Sequence, residues 1–409
     1  MTNLQKNKVS KTELLIYFIM TPFLLPRGFS EYFYIYKTVC TIWIYLSALI
    51  ILMFFLLYIK EKKFRIKRNI KWMITYYSYL VIDTVIIQNT IHEGFQKMFI
   101  TPILCLGCMI FLENKFEVFF ECISSLLIFF MGLNIFVFNP IFFDSFFDPS
   151  IKILFLGHVQ ICSQIGMLGL ITSYVIKRVS NKKAKPFVLL VLSLITMAMA
   201  KTVLSIVCLS LFFVYIIIQK FFSKKRILVN YKILFTAFFL LNISLFIFLR
   251  RNNWNFSKLG LSTSLHGRLV IWQQIFELLK DRWVFGYGTY GYRIFVYWNE
   301  WVDVDGMIYA HNQILQTLLD GGLVLLVLFL LMICGYISAV KYRMLDIGMG
   351  NILSLVLGSY FLIMIIESPC EYYYIFVLLS IMPYLHKSSM KINSDLNGTG
   401  LYLEKKCIR

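Results

Sequence analysis

Apolar stretches long enough to cross the ~30 Å hydrocarbon core of a bilayer recur along the whole 409-residue chain. This feature constrains the fold more than length does. Length alone would allow two or three soluble domains, but 59% hydrophobic and 15% charged residues override it. The ~20-residue rule places spans at 13–30, 33–59, 72–91, 97–112, 118–138, 151–176, 187–200, 202–219, 233–249, 322–340, 352–368 and 372–386. The expected fold is all-α: a polytopic integral membrane protein of about twelve transmembrane helices with one large, partly helical extracytoplasmic loop. Residues 187–218 are too long for one helix and are interrupted by Lys201, so they divide into two short spans.

The net charge of +19 invites a nucleic-acid reading, which the placement of the charges argues against. Lys and Arg cluster between apolar runs, from Lys60 to Lys71, Lys177 to Lys185 and Lys220 to Lys232. The positive-inside rule produces that pattern in cytoplasmic loops without any RNA or DNA. Both termini are then expected in the cytoplasm. Lys6, Lys8 and Lys11 precede Leu14 with no clear small-residue cleavage site, so the first apolar run reads as a retained helix. The division is 1–249 for N-terminal helices, 250–321 for an extracytoplasmic loop, 322–386 for C-terminal helices and 387–409 for a cytoplasmic tail. The cysteines are scattered in apolar runs. Cys105-Leu-Gly-Cys108 has redox or zinc-like spacing, but no second Cys/His pair follows it, and packing explains it better.

The outer loop is too aromatic for a solvated tether, with Trp254, Trp272, Trp283, Trp298 and Trp301. Leu269, Trp272, Phe276 and Leu279 form a helical stripe, with Ser262, Thr263 and Ser264 nearby as caps. Arg268 falls in the first turn of that helix, where it joins free N–H groups as an anion site or else snorkels to water. Residues 286–291 match G-x-G-x-x-G, but no strand–turn–helix unit surrounds them, and a tight turn is the better reading. If 310–320 is helical, His311 lies one turn before Leu315 on the apolar side, Asn312 groups with Gln316 and Asp320 on the polar side, and Gly321-Gly322 ends the helix. An inward histidine is more often a hydrogen-bonded core residue, yet its ordinary pKa near ~6.5 suits a proton acceptor.

Other ionisable groups within spans are functional hypotheses by default. Lys201 sits at an outer end, suited to phosphate or to snorkelling. His158 lies a turn or two below the outer surface and could face the same cavity. Asp83 is mid-span and suits an inter-helix hydrogen bond. Glu367 and Glu371 flank an outer turn, where solvation would explain them. The histidines are dispersed, and no metal constellation is legible.

Gly267-Arg268-Leu-Val-Ile-Trp272, then Phe285-Gly286-Tyr-Gly288, then Ala310-His311-Asn312 with Leu315 and Asp320-Gly-Gly-Leu323, together resemble the hallmark region of the O-antigen polymerase and O-antigen ligase family. These motifs span 264–330; elsewhere the likeness is topological. The resemblance implies an inverting, metal-independent membrane glycosyltransferase that needs no cofactor and works outside the cytoplasmic membrane of a bacterium. Its donor would be an oligosaccharide on undecaprenyl pyrophosphate, used in capsule, exopolysaccharide or O-antigen synthesis, with other polysaccharide-assembly proteins as partners. It implies that Arg268 binds the pyrophosphate and that His311 orients or deprotonates the attacking hydroxyl. Asn312 and His158 would serve in substrate binding. Ala200-Lys201 stands where the family often has Ser-Arg, and lysine keeps the charge but loses the bidentate fork. Polymerase is favoured over ligase. A flippase would predict two similar halves with interrupted helices, and no internal repeat is evident.

Overall fold

The computed structural model describes residues 10–31, 33–61, 66–91, 94–137, 153–180, 183–221, 231–251, 263–294, 297–298, 301–302, 307–341 and 344–388. Trp254, Ser262 and the tail beyond Ser388 lie outside the described residues. The helices in chain order are α1 (Lys11–Leu24), α2 (Tyr34–Lys60), α3 (Arg68–Gln88), α4 (Thr101–Asn114), α5 (Phe116–Gly132), α6 (Val159–Val179) and α7 (Ala184–Ala200), then α8 (Val203–Phe221), α9 (Tyr231–Arg251), α10 (Thr263–Arg282), α11 (Gln313–Ala339), α12 (Ile347–Ile363) and α13 (Tyr374–Ile381). Two short antiparallel ribbons interrupt them: Ile153–Leu154 with Gly157–His158, and Tyr297–Trp298 with Trp301–Val302.

Each of the twelve apolar stretches meets a helix. By length and composition, six helical segments among the described residues are able to cross a membrane: Tyr34–Lys60, Arg68–Gln88, Gln96–Asn114, Phe116–Phe136, Val159–Val179 and Gln313–Ala339. Shorter apolar helices accompany them, among them Ala184–Ala200 and Ile347–Ile363. Along α2, Val39, Ile42, Leu46, Leu49, Met53 and Leu56 are exposed. Such a stripe is costly in water and favourable against lipid, so the fold is that of an all-α membrane protein.

Local chemistry sets the helix ends. Ser10 and Glu13 form a reciprocal capping box at the start of α1, Asn312 accepts the Leu315 N–H at the start of α11, and Asp346 accepts the Met349 N–H at the start of α12. The helix ends gather into two sets. At one end, the Tyr373 hydroxyl reaches Phe23 O at the close of α1, Ser163 Oγ lies 2.6 Å from Thr202 Oγ1, and Gln88 donates to Tyr287 O and Thr289 O. At the other, Arg68 reaches Ser338, Lys67 pairs with Glu113, and Tyr174 donates to Asp346.

The Gly321-Gly322 pair breaks α11, as its sequence predicts. Gly321 (φ −157, ψ 21) and Gly322 (φ 65, ψ −161) leave the helical region. A Cβ on Gly322 would strike the Val284 carbonyl, and its positive φ favours glycine independently. The loop after α10 crosses at this break and meets the freed backbone groups. Tyr287 N–H donates to Leu319 O at 2.8 Å, and Leu323 N–H donates to Trp283 O at 2.9 Å. Broken helices in membranes survive where protein satisfies the backbone in this way. Thus the Phe285-Gly-Tyr-Gly segment is a turn docked on a helix break.

Candidate active site

Around α10, a small second core holds the site's supports. Leu269, Trp272 and Leu279 of the expected stripe are buried, and Phe276 packs edge-on against Phe246 with ring centres 5.6 Å apart. The Trp272 indole N–H donates to Ala310 O at 2.9 Å, so the buried ring also fixes the chain just before His311. Removing a buried tryptophan typically costs about 3–5 kcal/mol, a scale that makes this anchor important to the loop.

Arg268 and His311 come together through a residue whose role the sequence left open. Glu367 accepts from Arg268 Nη2 on one carboxylate oxygen and pairs with His311 Nδ1 at 3.0 Å on the other. α10 begins at Thr263, so Arg268 stands in its second turn, past the unpaired N–H groups expected beside it. Its Nε is buried without a hydrogen-bond partner among the described residues. His311 precedes α11 instead of lying within it; its backbone is left-handed, with φ +48, and its ring pairs with Glu367.

Glu367 is not a solvated turn residue. It is largely buried, and burial alone would raise its carboxyl. The hydrogen bond and charge of His311, then the Arg268 guanidinium, outweigh that and hold it below the ordinary carboxylate range. A carboxylate at Nδ1 favours the tautomer with the proton on that nitrogen, which leaves Nε2 with a lone pair. The His311 side chain is 30% exposed.

Asn312, Gln316 and Asp320 do share one side of α11, as expected, but all three are buried. Asn312 caps the helix and donates to Asn242 Oδ1 and Ile365 O, each at 2.8 Å. Its role here is to hold α9, α11 and the end of α12 together. Gln316 accepts the Ala310 N–H at 2.8 Å. Asp320 accepts from Lys97 Nζ at 2.6 Å, and the same ammonium lies 2.7 Å from Glu371, which is buried rather than solvated. Tyr290 donates to the other Glu371 oxygen at 2.7 Å. Burial first, then the Glu371 charge, push this phenol well above its ordinary value and keep it a donor.

Neither Lys201 nor His158 is among the residues that contact Glu367. Lys201 is the exposed left-handed C-cap of α7, with φ +50. His158 caps α6, its Nδ1 accepting the Gln160 N–H at 3.3 Å. The start of α6 connects both groups to the site: Ser163 meets Thr202, and Gln164 donates to Pro369 O in the turn between Glu367 and Glu371. Asp83 meets Tyr79 of its own helix, and the Tyr79 hydroxyl makes the inter-helix bond, to Gly321 O at 3.1 Å.

Lys97 and Tyr290 were not raised by the sequence reading, which noted Glu367 and Glu371 but explained them by solvation. Their signal was an ionisable residue within or beside an apolar run in a chain with only 21 acidic residues. Residues 186–330 match the family model described as O-antigen ligase. That segment holds Lys201, Arg268, His311 and Asn312, while Glu367 lies beyond it. No curated protein matches the chain. Over residues 186–330, about a third of the chain, this match supports the likeness to the O-antigen ligase and polymerase family that the sequence motifs suggest.

Proposed function

We propose that the chain is a polysaccharide polymerase. It transfers a glycan from undecaprenyl pyrophosphate to a sugar hydroxyl of a second lipid-linked repeat unit. The observation that carries this reading is the Arg268–Glu367–His311 arrangement, a cation and a base held by one buried carboxylate. The acceptor oxygen forms the new bond to the anomeric carbon as the bond from that carbon to the pyrophosphate oxygen breaks. The leaving pyrophosphate takes the electron pair, and Arg268 stabilises its charge with donors not used by Glu367. The hydroxyl proton passes to His311 Nε2, with Glu367 holding the imidazole in the right tautomer and stabilising it once charged. Attack from the face opposite the leaving group inverts the anomeric centre. Lys201 supplies a second cation for the pyrophosphate, and His158 lines the same mouth.

The exposed pair Lys67–Glu113 and the part-buried pair Lys185–Glu121 lie at the opposite end from this site. With the basic loops on the cytoplasmic side, the site faces outward across a twelve-helix bundle in the bacterial cytoplasmic membrane, where lipid-linked glycans arrive. Residues 250–321 form the outer catalytic segment in this orientation.

The family description favours a second reading, a ligase that moves finished glycan to another acceptor. Glycan profiles from cells lacking the protein separate the two. Single repeat units without longer chains are expected for a polymerase, and His311→Ala should fail to restore them to full length. Long chains stranded on the carrier would identify a ligase; rescue by His311→Ala would remove the imidazole from the mechanism.

A further inference from the structure

Ala310 is fully buried and held by its backbone: its N–H donates to Gln316, and its carbonyl accepts from Trp272. Its neighbours turn to the open side. Tyr309 is 40% exposed and His311 30%. Tyr309 and His311 are two residues apart, so their Cα atoms lie within about 7 Å of each other, about the width of a sugar ring. An exposed aromatic is thus set beside the proposed base on a fixed support.

The Tyr309 ring is itself braced. Tyr290 meets it edge to face, with centroids 6.4 Å apart and planes at 72°. Tyr290 in turn is held by Glu371 and lies with its ring 5.1 Å from Lys97 Nζ, which Asp320 and Glu371 neutralise. Four buried or half-buried side chains therefore fix the position of one part-exposed aromatic ring. A pyranose presents an apolar C–H face matching an aromatic ring, and its hydroxyls then project from the ring edge.

We propose that Tyr309, braced by Tyr290, is the platform on which the acceptor sugar lies, so that its attacking hydroxyl meets His311. This rests on the glycosyl-transfer reading above and adds the residue that positions the acceptor.

The test uses the full chain in lipid nanodiscs. The donor is the lipid-linked oligosaccharide that accumulates in cells lacking the protein. The acceptor is the same oligosaccharide released by mild acid, which has no pyrophosphate and serves only as acceptor. Tyr309→Ala should raise the acceptor KM about tenfold and leave the donor KM unchanged. Tyr309→Phe and Tyr309→Trp, which keep a ring, should stay near wild type, and Tyr290→Phe should fall between. An unchanged acceptor KM in Tyr309→Ala overturns the platform, as does a loss confined to kcat or an equal loss in Tyr309→Phe. His311→Ala run in parallel separates the two claims. Wild-type kcat in that variant removes the imidazole from the mechanism and overturns a platform that presents the hydroxyl to it, while transfer itself stands. No product from the wild type with this donor and acceptor sinks both.

Discussion

The two ends of the helix bundle carry ion pairs of the same residue types in different surroundings. Lys67–Glu113 has side chains 43% and 33% exposed, and Arg178–Asp346 is similarly open. Lys97 with Asp320 and Glu371 is 10% and 2% exposed, and Arg268–Glu367 is nearly as enclosed. Water screens the first group to about 0–1 kcal/mol per pair. The second group bears the cost of leaving water, which attraction between partners offsets only when geometry is good. Burying charge is a poor way to gain stability. Its recurrence at one end is what the proposed glycosyl transfer would account for, since charge at that end would then serve chemistry.

The sharpest way to break this comparison is to neutralise Glu367. Glu367→Gln keeps the shape of the group and removes its charge, so Arg268 and His311 lose their common anchor. Transfer should fall by about 10²-fold or more, the scale of a misdirected general base, with protein levels in the membrane unchanged. Initial rates in nanodiscs check this, and a wild-type rate would leave the buried end no different from the exposed one. The carboxyl also sets a pH dependence. Its folded pKa lies below the ordinary ~4.3, so its contribution to stability is complete above that value and is lost as pH falls through the lower folded one. Thermal melts should therefore separate wild type from Glu367→Gln above about pH 4.3 and converge in stronger acid.

Lys97 sharpens the comparison through stability. Lys97→Met leaves Asp320 and Glu371 buried beside each other with no cation. Breaking a buried pair costs about 3–5 kcal/mol, which should appear as a large loss of Tm in detergent. Combining it with Asp320→Asn and Glu371→Gln should recover much of that loss, because no unpaired charge remains. A single variant as stable as wild type would mean that water reaches the cluster.

These two clusters mark where sequence reading stops. The apolar stretches, the Gly-Gly break and the α10 stripe repeat or punctuate locally, so they were legible residue by residue. Arg268 and His311 stood out because short motifs surround them. Glu367 stands in Glu-Ser-Pro-Cys-Glu, a string that reads as a solvated turn, and its partners are far away in the chain. Whether such a carboxylate is buried depends on α10, α11 and α12 meeting at their ends. His311 shows the converse. Its place near the site was legible, but its direction was not, because a helical register from 310 assigned it to the leucine side. A left-handed backbone at one residue turned it toward Glu367. Lys97 was hidden inside an apolar run, where a cation is easily taken for a snorkelling side chain until two carboxylates are found at its end.

The smallest effect belongs to the exposed end and is the control on which the comparison depends. Lys67 pairs with Glu113 at 2.7 Å, and its ammonium also stands 4.8 Å from the Tyr384 ring. Glu113 keeps further cationic company, since Lys387 donates to its backbone carbonyl at 2.8 Å. Lys67→Ala therefore removes one screened interaction from a carboxylate that water still reaches, and should cost no more than about 1 kcal/mol. Transfer rates should match wild type, because this end lies across the bundle from Arg268 and His311. Raising the salt concentration should shrink even that small stability difference, as it does for exposed charges, while leaving the loss in Lys97→Met nearly unchanged. A Lys67→Ala variant as damaged as Lys97→Met would erase the distinction between the ends, and burial would no longer identify the functional one.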